Sequence, residues 1–115
     1  MTKTIFITGG SGVLGKALIG KLIPDFKIIA IGTNHSHFPE HIRHHKHFKF
    51  YERDLVKIKS PKDFAITESI DLVLHLAAVV SGAKVDEETY YQINVNSTKH
   101  LVGFAEEKKS LTLDL

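Results

Sequence analysis

Thr4-Ile5-Phe6-Ile7-Thr8-Gly9-Gly10-Ser11-Gly12-Val13-Leu14-Gly15 is the stretch whose reading decides the fold. An uninterrupted apolar run ends at Ile7, the glycines follow, and an amphipathic segment over Val13 to Ile23 leads out. That order predicts a buried strand, a tight turn and a helix start. The first amides of a helix lack intrahelical acceptors, and the aligned peptide dipoles put partial positive charge there. Such an end suits an anion, and a turn without side chains lets a pyrophosphate approach the backbone. Gly9, Gly10, Ser11, Gly12, Val13, Leu14 and Gly15 are therefore candidate dinucleotide-binding residues, with the pyrophosphate expected on the amides of Gly10 to Val13. A phosphate-loop NTPase is excluded, because Gly15-Lys16 is followed by Ala17 and no hydroxyl is left for magnesium.

Outward from this turn, the chain alternates strand-like and helix-like segments. The Val13 helix carries Val13, Leu14, Ala17, Leu18 and Leu22 at helical spacing and stops near Pro24. Lys27 to Ile31 is a second continuous apolar strand, of the kind buried on both faces of a parallel sheet. Thr33 to His47 is polar and irregular, with room for a short helix over Glu40 to His45. Phe48 to Tyr51 reads as a third strand, and Ser60-Pro61-Lys62-Asp63 as a helix start running to about Ser69. Leu72 to Leu76 is a fourth strand, followed by a loop of small residues over Ala77 to Lys84. One long helical pattern covers Asp86 to about Lys109, and Leu111 to Leu115 alternates like a strand that has barely begun. The pattern predicts an α/β, doubly wound parallel sheet of order 3-2-1-4, a Rossmann plan stopping before or at a fifth strand. The ligand crevice is expected above the carboxyl ends of the first and fourth strands. The uncovered edge of the fourth strand predicts self-association or disorder of the last residues.

A chain of 115 residues makes one small domain, here residues 1–115. A net charge of +2 gives no argument for nucleic acid, and no apolar run reaches the roughly 20 residues of a membrane span. The lack of cysteine removes disulfides and thiol chemistry and fits a cytoplasmic protein. Eight histidines give the basic character. If the segment past Pro39 is helical, His41 and His45 lie one turn apart and could ligate zinc. With no cysteine or aspartate beside them, a solvated loop is the simpler expectation, and no metal is predicted. His75, inside an apolar strand, is expected to be packed and bonded to backbone rather than to act as an acid or base.

Four local matches, in register, give the chain a resemblance to the N-terminal part of an extended, epimerase/dehydratase-like short-chain dehydrogenase/reductase. Thr8-Gly9-x-x-Gly12-x-x-Gly15 resembles its phosphate-binding turn, and Arg53-Asp54-Leu55 its adenine-contacting aspartate. His75-Leu76-Ala77-Ala78 resembles the end of its fourth strand, which lines the cofactor. Asn94-Val95-Asn96-Ser97-Thr98 is similar to its helix motif Asn-Val-x-Gly-Thr, with Ser97 at the usual glycine. The resemblance implies adenine near Asp54 and Leu55, the adenosine ribose near Gly32, Thr33 and Asn34, and the nicotinamide side toward Leu76, Ala77, Ala78 and Val79. It also implies that Asn94 supports helix geometry beside the site.

Two departures from the family pattern matter. NAD-using members carry an acid at the end of the second strand, where this chain has Gly32. A carboxylate there would repel a 2′-phosphate, so its absence tilts the expectation toward NADP over NAD. The family's Tyr-x-x-x-Lys pair is also missing: Leu55, Asn94 and Val95 stand four residues after Tyr51, Tyr90 and Tyr91. No catalytic residue is therefore assigned, and the chain reads as the cofactor-binding front of a longer enzyme. That enzyme would act by hydride transfer on an alcohol, carbonyl or nucleotide sugar, its substrate site lying in the absent part. The alternative is a non-catalytic NAD(P)-sensing protein of the same fold.

Overall fold

Phe6 and Ile7 are completely buried, and they face opposite sides of one sheet. The structure, a computed structural model, describes residues 2–76 and 86–114. Its elements are β1 (Thr4–Thr8), α1 (Val13–Leu22), β2 (Lys27–Gly32), α2 (Glu40–Arg43), β3 (Phe48–Glu52), β4 (Leu72–His75), α3 (Glu87–Tyr91), α4 (Ser97–Glu107) and β5 (Leu111–Asp114). Short 3-10 turns occupy His35–His37, Leu55–Lys57 and Pro61–Phe64, and a π-helical segment, Gln92–Asn96, joins α3 to α4. All pairings are parallel, in the order β3-β2-β1-β4-β5.

Alternation along the strands divides the core into two layers. Ile5, Ile7, Ile28, Ala30 and Leu74 meet Ile19 and Ile23 of the first helical segment and Ile42 of α2. Phe6, Ile29, Ile31 and Val73 meet Phe64, Ile66, Leu101 and Phe104 on the other face. A sheet covered on both faces explains why the strands read as unbroken apolar runs.

Four expectations need correction. A fifth strand is present: Leu72 to His75 pairs with Leu111 to Asp114, so the edge expected on the fourth strand is covered. The helix expected from Ser60 to Ser69 ends after one 3-10 turn. A capping box forms between Ser60 and Asp63, but Ala65 adopts φ 50° and no helix follows it up to β4. The reason lies in the apolar spacing. Phe64, Ile66 and Ile70 all enter the same core layer, and a helix cannot put residues two apart on one face. In α1 the buried stripe is Gly15 and Ile19, whereas Val13 is 90% and Leu14 54% exposed. The long terminal helix, finally, contains the π-helical turn, for which no periodicity gave a signal.

Candidate dinucleotide site

β1 delivers the glycine turn to the carboxyl end of the sheet, and each glycine there meets a different demand. Gly9 has φ 71°, a region that side chains disfavour. A Cβ on Gly10 would lie 2.9 Å from Ile19 Cδ1 and 3.3 Å from the Phe38 ring. A Cβ on Gly15 would lie 2.5 Å from both Gly9 O and Gly10 Cα, so α1 packs directly on the turn. Gly12 differs from these, because among the described residues its Cβ would meet only Gly9 O, at an ordinary contact distance of 3.5 Å. The missing side chain at Gly12 thus clears an approach to the backbone rather than making room for protein.

That approach leads to the start of α1. Gly12 is the N-cap residue, no side chain caps the helix, and its first turn holds no acidic residue. The first helical bond runs from Lys16 N to Gly12 O at 2.9 Å, so the amides of Val13, Leu14 and Gly15 precede the ladder. Within the expected set Gly10 to Val13, one amide is already engaged: Gly12 N–H donates to Gly9 O at 3.2 Å and closes the turn. A bare, uncapped helix start with partial positive charge fits a pyrophosphate.

Beside the turn, the ends of β2 and β3 frame a hollow of about 360 Å³ lined by Thr33, Glu52, Asp54 and Lys57. Here the structure brings together two residues assigned from sequence, Thr33 and Asp54. Gly32 closes β2, and its carbonyl accepts from Arg53 N at 2.8 Å. Asn34 turns inward on its own loop, its side chain accepting from Ser36 N at 2.9 Å. Asp54 starts the 3-10 turn by accepting from Val56 N at 3.0 Å. Leu55 packs its side chain on the Phe6 layer of the core, leaving its main chain to shape the turn.

Gln92 sets the position of that turn and was not anticipated from sequence. It is buried in the π-helical segment, and its Nε2 donates to Ile58 O at 2.8 Å and Leu55 O at 3.3 Å. Helical periodicity hid it, because nine residues at about 100° each set Gln92 opposite the buried Leu101. Asn94 lies half-buried in the same segment, and its carbonyl accepts from Thr98 Oγ1 at 3.3 Å.

At β4, His75 is buried, as expected for a packed histidine. Two of its partners are side chains: Nδ1 lies 2.6 Å from Thr8 Oγ1 and Nε2 lies 2.9 Å from Thr98 Oγ1. The ring links the residue before the glycine turn to α4, so its role is to hold elements together. Leu76 continues the strand by donating its N–H to Thr8 O at 3.0 Å. Ala77, Ala78 and Val79, expected on the nicotinamide side, lie outside the described residues.

The histidine segment does not form the helical pair considered for zinc, because α2 ends at Arg43, before His45. His45 Nδ1 instead accepts from His47 N at 3.0 Å. Among the described residues no group of three or more His, Cys, Asp or Glu side chains could hold a metal ion. No helix among them is long and apolar enough to cross a membrane.

Comparison with known proteins agrees with this geometry. The family model for the NAD dependent epimerase/dehydratase family matches residues 5–112, nearly the whole sheet and all of the turn. The chain belongs to that family. No curated protein matches it. Among solved structures it is similar to the Bordetella bronchiseptica enzyme WbmG in complex with NAD, with a TM-score of 0.82 at 21% identity over 99% of this chain and 37% of that one. It is also similar to a UDP-N-acetylglucosamine 4-epimerase from Methanobrevibacter ruminantium in complex with UDP-N-acetylmuramic acid, with a TM-score of 0.76 at 23% identity over 95% of this chain and 36% of that one. A third likeness is to dTDP-glucose 4,6-dehydratase from Bacillus anthracis in complex with NAD, with a TM-score of 0.74, 17% identity, and coverage of 98% and 37%. The chain thus spans little more than a third of these proteins' length.

Proposed function

We propose that this chain supplies the dinucleotide-binding part of an epimerase/dehydratase acting on nucleotide sugars. Bound NAD or NADP would supply a nicotinamide that takes a hydride from a hydroxyl-bearing carbon and returns it. The chain's own contribution is to hold and orient the cofactor. The turn from Gly9 to Gly12 and the first amides of α1 hold the pyrophosphate. The hollow at Thr33, Glu52 and Asp54 receives the adenosine, and Gln92 and His75 keep the surrounding elements in register. None of the three tyrosines is followed four residues later by lysine, so the proton transfer at the substrate is not assigned to this chain. The sequence-based lean toward NADP rests on Gly32, with histidine and Arg43 nearby as donors to a 2′-phosphate, and the residues of the adenosine hollow bear directly on it.

The observation carrying this reading is that, among the described residues, only Gly9 O comes near the missing Cβ of Gly12, at a helix start whose N-cap residue has no side chain. Gly12→Val fills that space without touching the core, because Gly12 already has an extended backbone with φ −73° and ψ 175°. Calorimetric titration with NAD and NADP is expected to give binding to the wild type and at least a tenfold loss in Gly12→Val. The variant's stability should change by about 1 kcal/mol or less, the scale of an altered N-cap. Equal binding by the two proteins would overturn the assignment of the pyrophosphate to this turn.

A further inference from the structure

We infer that Glu52, at the end of β3, takes the ribose-recognising role for which this fold ordinarily uses the end of β2, and that it sets a preference for NAD over NADP. The inference rests on the dinucleotide reading above. An acid at the tip of β2 accepts hydrogen bonds from the adenosine ribose hydroxyls in NAD-binding sheets of this kind, and an arginine nearby accommodates a 2′-phosphate. Here the tip of β2 is Gly32, which has no side chain to do either. The neighbouring strand fills the gap. Gly32 and Glu52 are register partners across the β2–β3 ladder, so their Cα atoms stand about one strand spacing apart, roughly 5 Å. Side chains in register on parallel strands point to the same face. The Glu52 side chain therefore leaves the sheet on the side where an acid at residue 32 would have done.

Three further observations agree. Glu52 lines the adenosine hollow with Thr33 and Asp54, and among the described residues its carboxylate has no hydrogen-bond or ion-pair partner. Next, the cation closest in sequence is turned away from the site. Arg53 Nε donates to Phe64 O at 2.7 Å, Nη1 to Glu52 O at 2.7 Å and Nη2 to Ala65 O at 3.4 Å. Its guanidinium closes the 3-10 turn below β3 instead of waiting for a phosphate. Last, the charges bordering the hollow are two carboxylates, Glu52 and Asp54, against one ammonium, Lys57. His35, whose ring centroid lies 6.1 Å from that of Phe50 on the same face, is the other titratable group nearby. A 2′-phosphate carries close to two negative charges at neutral pH and would enter beside Glu52. A ribose diol there finds two acceptor oxygens.

Titration calorimetry on the 115-residue chain tests this with NAD and NADP, for the wild type, Glu52→Gln and Glu52→Lys. Glu52 is exposed at a strand end, so both variants should fold, and unchanged thermal melting would verify it. Wild type is expected to bind NAD at least tenfold more tightly than NADP, about 1.4 kcal/mol. Glu52→Gln should bring the ratio to within about threefold, and Glu52→Lys should reverse it. Equal affinities in the wild type, or an unchanged ratio in Glu52→Gln, would overturn the role given to Glu52 while leaving dinucleotide binding intact. Binding of neither nucleotide would overturn that reading too.

Discussion

Gly15 and Gly20 sit on the same helix five residues apart, yet only one of them is indispensable. A methyl group on Gly15 would drive into the main chain of Gly9 and Gly10 at 2.5 Å, and backbone cannot move aside as a flexible side chain can. Gly20 is exposed and has nothing within 4 Å of its missing Cβ. Gly20→Ala should raise stability by about 0.5–1 kcal/mol through helix propensity. Gly15→Ala should lower stability by several-fold more and distort the turn. Denaturant midpoints of the two variants, measured side by side, check the contrast. Sequence pattern alone marks Gly15 as special, but it cannot distinguish a glycine kept for packing from one kept for a ligand. Under the proposed function Gly12 belongs to the second kind, since among the described residues only Gly9 O lies near its missing Cβ.

The connection from β3 to β4 depends on one carboxylate. Tyr51 OH donates to both Glu68 oxygens, at 2.9 and 2.7 Å, and Lys49 Nζ lies 2.9 Å from Oε2. Desolvation works against ionising Glu68, but the hydrogen bonds from Lys49 and Tyr51 outweigh it and bring the pKa down from 4.5 to about 2. Lys49 is held above its usual range by hydrogen bonds with Tyr51 and Glu68. A carboxylate with a depressed folded pKa stabilises fully above its unfolded value, and this stabilisation is lost as pH falls toward the folded one. The stability gap between wild type and Glu68→Gln should therefore be constant above about pH 5 and close between pH 4.5 and 2. Chemical denaturation at a series of pH values would reveal it. Since Lys49 and Glu68 are partly exposed, high salt should shrink the gap. At this scale the sequence was legible wherever one local rule governed. The runs Ile5 to Ile7 and Ile28 to Ile31 are buried on both faces, and their composition says so. The segment after Pro61 was not legible, because a sound helix start is overruled by the need to place Phe64, Ile66 and Ile70 in one layer. The same holds for the π-helical turn at Gln92, whose cause is a reach to Leu55 and Ile58, more than thirty residues away in sequence.

Across the whole molecule, strand order followed from the alternation of elements, whereas the outer boundary of the sheet did not. The alternation from Leu111 reads only as the beginning of a strand, whereas in the structure it forms a full parallel ladder with β4. The described sheet is therefore bounded by β3 and β5. Leu111 is 76% exposed on the second of these, beside a strand with an unshared side. Exposed apolar edge strands recruit other chains, and a lysine there opposes it. Leu111→Lys is expected to leave the melting temperature within about 2 °C and to lower association measured by light scattering at high protein concentration. Candidate site residues could be named from sequence where a motif singles them out, as at Gly12 and Asp54, and both lie at the carboxyl end of the sheet. Glu52 and Gln92 came into view only when register and three-dimensional packing were known.

The uncapped start of α1 has a thermodynamic consequence. A helix whose opening amides have no internal partner is less stable than it would be with an anion seated on them, so ligand capture and chain folding share one equilibrium. Melting should therefore climb with nucleotide concentration, by about 2.7 kcal/mol of added stability at a hundred times the dissociation constant. Through that coupling, the cell's supply of oxidised and reduced nucleotide would help decide how much of this protein is folded and escapes proteolysis.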